Sequence, residues 1–117
     1  MNILMAQINT VVGDFAGNAQ RVIEVSRDAM AAHPAPVIVF PELTLSGYPP
    51  EDLLLRPSIA ARVSTALEHL YAELPPEAWV VVGYPLTRDG RLYNAAGVIH
   101  GGAPVSYTHL TLPTTPY

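Results

Sequence analysis

VFPELTLSGYPPEDLLL, residues Val39 to Leu55, begins as a strand and then breaks its own pattern. The run from Val37 to Phe40 is apolar with almost no alternation, which suits a central strand covered on both faces. Glu42 follows it almost at once. A carboxylate at the C-terminal edge of a buried parallel strand lies where α/β sheets usually place their sites. Partial burial there would disfavour its charged form and suit it to general-base work, although a turn cap or an arginine partner on the rim would also explain it. Ser46-Gly47 permits a tight backbone path, and Pro49-Pro50 restricts the chain that presents Tyr48. That phenol could face the Glu42 cleft or simply cover an edge. Glu51 and Asp52 read as the start of a short helical turn, where their charge suits its N-terminus.

Working outward, Asn2–Ile8 (NILMAQI) reads as a buried first strand, and Val22, Ile23, Val25, Ala29 and Met30 predict a helix over about Ala19–Ala32. Pro34 and Pro36 stop that helix, because proline supplies no N–H and restricts the residue before it. Beyond the Tyr48–Pro50 turn, Pro57 opens a second helix. Ile59, Val63, Ala66, Leu67, Leu70 and Leu74 form its one continuous apolar stripe. Trp79–Val82 predicts a third strand, and the turn Arg88-Asp89-Gly90 returns the chain into a fourth, Leu92–His100. The order β-α-β-α-β-β predicts an α/β layered domain with helices packed on a sheet and a hairpin at its end.

The 117 residues allow at most one domain, and half of them are apolar, which suits a globular core. A net charge of −4 gives no electrostatic case for nucleic acid. No run approaches the roughly 18–20 apolar residues of a membrane span. MNILMAQINTVVGD lacks the basic start and cleavage site of a signal peptide, so a cytoplasmic location is expected. There is no cysteine and no lysine; all six basic residues are arginines. A mechanism needing a thiol or a lysine is not complete within these residues. His33 at a helix end, His69 on a polar helix face and His100 beside a turn have no metal-site spacing, and the glycines form no phosphate loop. Asn94 in LYNAA reads as a hydrogen-bonding partner for a neighbouring loop.

ILMAQIN, then VGD…GN before a helix, then VFPELTLSGY, resembles the nitrilase or carbon–nitrogen hydrolase superfamily. Within it, GYPPEDLLLRP is similar to the glutaminase domain of glutamine-dependent NAD(+) synthetases; VVVGYP (Val80–Pro85) and RLYNAA (Arg91–Ala96) agree. The likeness covers residues 1–104. It implies the first half of an α-β-β-α sandwich and a Glu–Lys–Cys triad. In that triad the cysteine attacks the glutamine amide, the lysine stabilises the oxyanion, and the glutamate is general acid/base. It further implies that ammonia passes through a tunnel to a synthetase domain, absent from this chain, that uses ATP and Mg2+ to convert deamido-NAD(+) to NAD(+). A homo-oligomeric parent enzyme is implied as well. Glu42 matches the catalytic glutamate, and Tyr48 a loop tyrosine near the glutamine site. No cofactor is implied for residues 1–104 themselves.

The departures matter as much. After Gly101-Gly102 the family pattern has a lysine-containing segment before a Leu-Pro. Here Tyr107-Thr108-His109-Leu110-Thr111-Leu112-Pro113 has the Leu-Pro without the lysine, and His109 is not read as its substitute. Residues 105–117 hold four threonines, as many as the preceding 104 residues, and no charged residue. VSYTHLTLPTT (Val105–Thr115) is similar to the conceptual translation of a transposon-type sequencing adapter. Residues 105–117 are therefore expected to be foreign. The reading is thus an N-terminal piece of a glutaminase domain, inactive alone. A stand-alone amidase acting on another small amide and a non-catalytic α/β module stay open.

Overall fold

The computed structural model describes residues 2–111. Leu112-Pro113 and the tail beyond them, residues 112–117, lie outside the described residues. Five strands form one sheet in the order β1 (Ile3–Met5), β2 (Val37–Val39), β3 (Trp79–Arg88), β4 (Arg91–His100) and β5 (Ala103–Thr111). The first three are parallel and the last three antiparallel. Helices α1 (Phe15–Ala32) and α2 (Ile59–Glu73) make the two parallel crossovers, and a 3-10 turn, Glu51–Leu55, sits where the acidic pair predicts one.

Helix α1 begins four residues earlier than its apolar spacing predicts, because Asp14 caps it: the carboxylate accepts from Gly17 N–H at 3.0 Å. A Cβ on Gly17 would lie 2.1 Å from that carboxylate, so the glycine reserves space for the cap. Phe15, Ala19, Val22 and Ile23 then face the sheet. Helix α2 buries the predicted stripe, Ile59, Val63, Ala66 and Leu70, against the same core of Ile38, Val80 and Val82. Ile59, Val63 and Leu70 each contribute about 1.5–3 kcal/mol by leaving water. Between the helices Arg27 bonds the Glu73 carboxylate at 3.0 Å, an exposed pair that adds at most about 1 kcal/mol.

Both helices lie on one face of the sheet. The register lines up Ile3, Val37 and Trp79, then Met5, Val39, Val81 and Val98, on the other face. Ile3 and Met5 are 61% and 75% exposed, so this apolar face is bare over much of its extent. Trp79 stacks on His100 there, with ring centroids 3.8 Å apart. No described helix is long and apolar enough to cross a membrane.

On the helix side, Tyr84 lies buried beside Tyr71, with Gly97 leaving room for its ring. Burial, with Tyr71 and Tyr107 adding to it, raises the Tyr84 phenol above the ordinary 10.0; burial and Glu68 raise Tyr71 in the same direction. The folded state therefore favours the neutral phenols. Their contribution is complete below pH ~10 and is lost as pH rises through the raised folded-state values. Thermal melts by circular dichroism should hold steady up to about pH 10 and then fall. Tyr84→Phe should flatten that fall, and an equally steep fall in the variant would refute the assignment.

Candidate functional site

Strand β2 ends at Val39, and the chain crosses over β3 as the segment from Phe40 to Gly47. Gly83 makes the crossing possible: a Cβ there would lie 2.5 Å from Leu43 N and 2.9 Å from Pro41 O. Phe40 N–H donates to Val81 O at 2.9 Å and Leu45 N–H to Gly83 O at 3.1 Å, so the segment continues the β2 side of β3 without being a strand. Its own hydroxyls tighten it: Thr44 Oγ1 donates to Pro41 O, and Ser46 Oγ to Leu43 O at 3.2 Å. Leu43 to Gly47 are buried as a result.

Glu42 stands at the top of this crossing, at the C-terminal end of the parallel strands, on the side of the sheet away from the helices. Its carboxylate accepts from the Asn94 Nδ2 amide of β4. The neighbouring loop expected to bond Asn94 is therefore the glutamate's own. Glu42 is exposed rather than partly buried, because the bare face gives the cleft no roof. Neither described ion pair involves it, and it caps no turn. The cleft, about 250 Å³, is walled by Pro41, Gly83, Ala96, Thr108 and His109 around the Glu42–Asn94 pair. An anionic oxygen held by an amide donor beside open space can take or give a proton. Its rotamer is set by a group that does not compete for that proton.

Tyr48 is 61% exposed and does not line this cleft. Its loop ends in a cis Tyr48–Pro49 peptide. His109 does line it, with Tyr93 edge-on at 4.6 Å. His33 ends α1, His69 meets Gln20 at 3.2 Å, and His100 Nδ1 lies 3.1 Å from Ala78 O. Among the described residues no three His, Asp or Glu side chains gather as metal ligands.

The family model for carbon-nitrogen hydrolases matches residues 3–116. The chain belongs to the carbon–nitrogen hydrolase family. It is 44% identical over 102 residues to the glutamine-dependent NAD(+) synthetase of Xylella fastidiosa, and 46% identical over 116 residues to that of Mycobacterium tuberculosis. Those matches take in 87% and 91% of this chain but 18% and 16% of the relatives. The chain thus spans less than a fifth of their length. The glutamine-dependent NAD(+) synthetase of Acinetobacter baumannii, solved with ADP, superposes with a TM-score of 0.87 at 31% identity, over 97% of this chain and 21% of that one. A Nesterenkonia amidase shares the fold, with a TM-score of 0.83 at 18% identity over 99% of this chain and 44% of its own. The α/β sheet and its two helices are therefore part of a carbon–nitrogen hydrolase domain of the nitrilase fold, an incomplete α-β-β-α sandwich.

Proposed function

We propose that this chain carries the general acid/base of a glutamine-hydrolysing domain, and that Glu42 is that group. The Glu42–Asn94 pair in the cleft at the strand ends carries the reading. The 31% identity to a superposed glutamine-dependent NAD(+) synthetase, against 18% to the superposed amidase, supports glutamine over another small amide. Glu42 would take the proton from a thiol as sulfur attacks the amide carbon and deliver it to the departing ammonia. It would then deprotonate the water that cleaves the thioester to glutamate. Tyr48, on the braced turn after the crossing, would contact the substrate at the mouth of a completed pocket. The released ammonia would serve an ATP- and Mg2+-dependent conversion of deamido-NAD(+) to NAD(+) in a synthetase domain outside these residues, within a homo-oligomeric cytoplasmic enzyme.

The nucleophile and the oxyanion-stabilising lysine are not among the 117 residues, so the chain alone would not turn over glutamine. We assign residues 105–117 to a foreign sequence. Strand β5 supports this: it pairs with β4, yet Ala103 to Leu110 are all exposed, where a strand packed on one face would alternate. The family match runs through this stretch, but its Leu-Pro comes without the lysine. Sequencing the locus past codon 104 tests both statements: a lysine segment, a cysteine and a synthetase domain are expected to follow. A native continuation coding for VSYTHLTLPTT would refute the second. Glutamate released above background by the purified chain would refute its inactivity.

A further inference from the structure

The Gly17-Asn18 pair in the first turn of α1 and the segment that carries Glu42 are far apart in sequence, yet one side chain joins them. Asn18 is 3% exposed. Its Nδ2 donates to Val11 O at 2.9 Å and to Leu45 O at 3.1 Å, while its Oδ1 accepts from Val11 N–H at 2.9 Å. Both amide hydrogens and the carbonyl are thus used, and only a carboxamide of this length offers two donors and an acceptor there. The loops it joins also meet backbone to backbone. Gly13 N–H donates to Ser46 O at 2.9 Å, and a Cβ on Gly47 would lie 2.7 Å from Val12 Cα.

Leu45 is the point of convergence. Its N–H is held by Gly83 of β3 and its carbonyl by Asn18 of α1. Three residues earlier in the chain stands Glu42, whose one described polar partner is Asn94. We propose that Asn18 is a positioning residue for Glu42: it pins the far end of the crossing to α1, so that the carboxylate meets Asn94 in one geometry. The inference rests on the reading of Glu42 as the general acid/base, but the contact it predicts is structural and is tested without turnover. Losing Asn18 leaves the buried Leu45 carbonyl and the Val11 N–H without their side-chain partner, while Val11 O keeps only Asp14 N–H, and this frees the crossing to move.

The test uses the 117-residue chain and the side-chain amide resonance of Asn94 in nitrogen-15 spectra. Glu42→Ala gives the resonance position for a broken contact. Asn18→Ser should move the signal more than half of the way to that position. Val22→Ala, which loosens the same helix in the core but removes no hydrogen bond to the crossing, should leave it in place. An unmoved signal in folded Asn18→Ser, or an equal movement in Val22→Ala, overturns the proposal. Should Asn18→Ser fail to fold, hydrogen exchange on the unaltered chain decides. The peptide covering residues 41–48 should exchange at least about tenfold more slowly than residues 6–10; equal rates overturn it. A longer enzyme that kept its activity after Glu42→Gln would instead refute the functional reading and leave the positioning result intact.

Discussion

Glu42→Gln, placed in the protein read from the locus past residue 104, should lower the rate of glutamine hydrolysis by on the order of a thousandfold. The substitution is nearly isosteric. The glutamine side-chain carbonyl can still accept from Asn94 Nδ2, the contact that holds Glu42 in place. The Gly83 crossing and the buried Leu43–Gly47 segment are untouched, so the fold around the site should persist. What is lost is a group able to exchange a proton, and on the proposed reading that group would be needed twice, at ammonia departure and at attack by water. The loss should therefore fall on kcat far more than on KM, measured as glutamate formed at saturating glutamine. A variant within about tenfold of the parent would remove Glu42 from the chemistry.

Much of this site was legible in sequence because its decisive feature is local. An acid placed just after an apolar strand and before a stiff turn needs no distant information to be noticed. Helix α2 was equally legible, since its stripe from Ile59 to Leu70 is the face that the structure buries. What local pattern did not give is the pairing across long separations. Asn94 bonds a carboxylate 52 residues away, and Asn18 a carbonyl 27 residues away. The exposure of Glu42 is not legible for a related reason: burial at a strand end depends on what packs over the sheet face, and among the described residues nothing covers Glu42.

The elements whose ends moved did so for physical reasons that can be named. Strand β1 ends at Met5 rather than Ile8; Ala6 N–H makes a last bond to Val39 O, and β2 offers no further strand partner. Strand β3 runs on past the predicted end at Val82 to Arg88, through Pro85, a residue usually kept out of strand interiors. Gly83 O accepts from Leu45, so the polar groups of Gly83, and of Pro85 two residues on, point toward the side where β2 has already ended. The missing N–H of Pro85 costs no ladder bond, and β4 pairs through it to Asn94. The same proline-tolerant extension is what delivers Asn94 opposite the Glu42 crossing.

The isolated chain should self-associate and bind an apolar dye strongly. Its bare sheet face presents Ile3, Met5, Val37, Val39, Trp79 and Val81 as neighbours across three strands, with Val98 beside Val81. A contiguous apolar surface of this kind, larger than isolated exposed side chains, drives association in water. The edges worsen it: β1 is three residues long with an unpaired outer side, and β5 ends the sheet at its other side with Val105, Tyr107 and Leu110 exposed. In the longer relatives the chain spans only 16–21% of the sequence, so there is ample further chain to cover this face. Ile3→Lys with Met5→Glu should shift light scattering after size exclusion from oligomer to monomer and lower dye fluorescence severalfold. Both side chains already lie mostly in water, and Leu4, which faces the helices, is kept, so the melting temperature should change by no more than a few degrees. A wild-type chain that elutes as a monomer and leaves the dye dark would mean that this face is closed by the chain itself, and with it the cleft of Glu42.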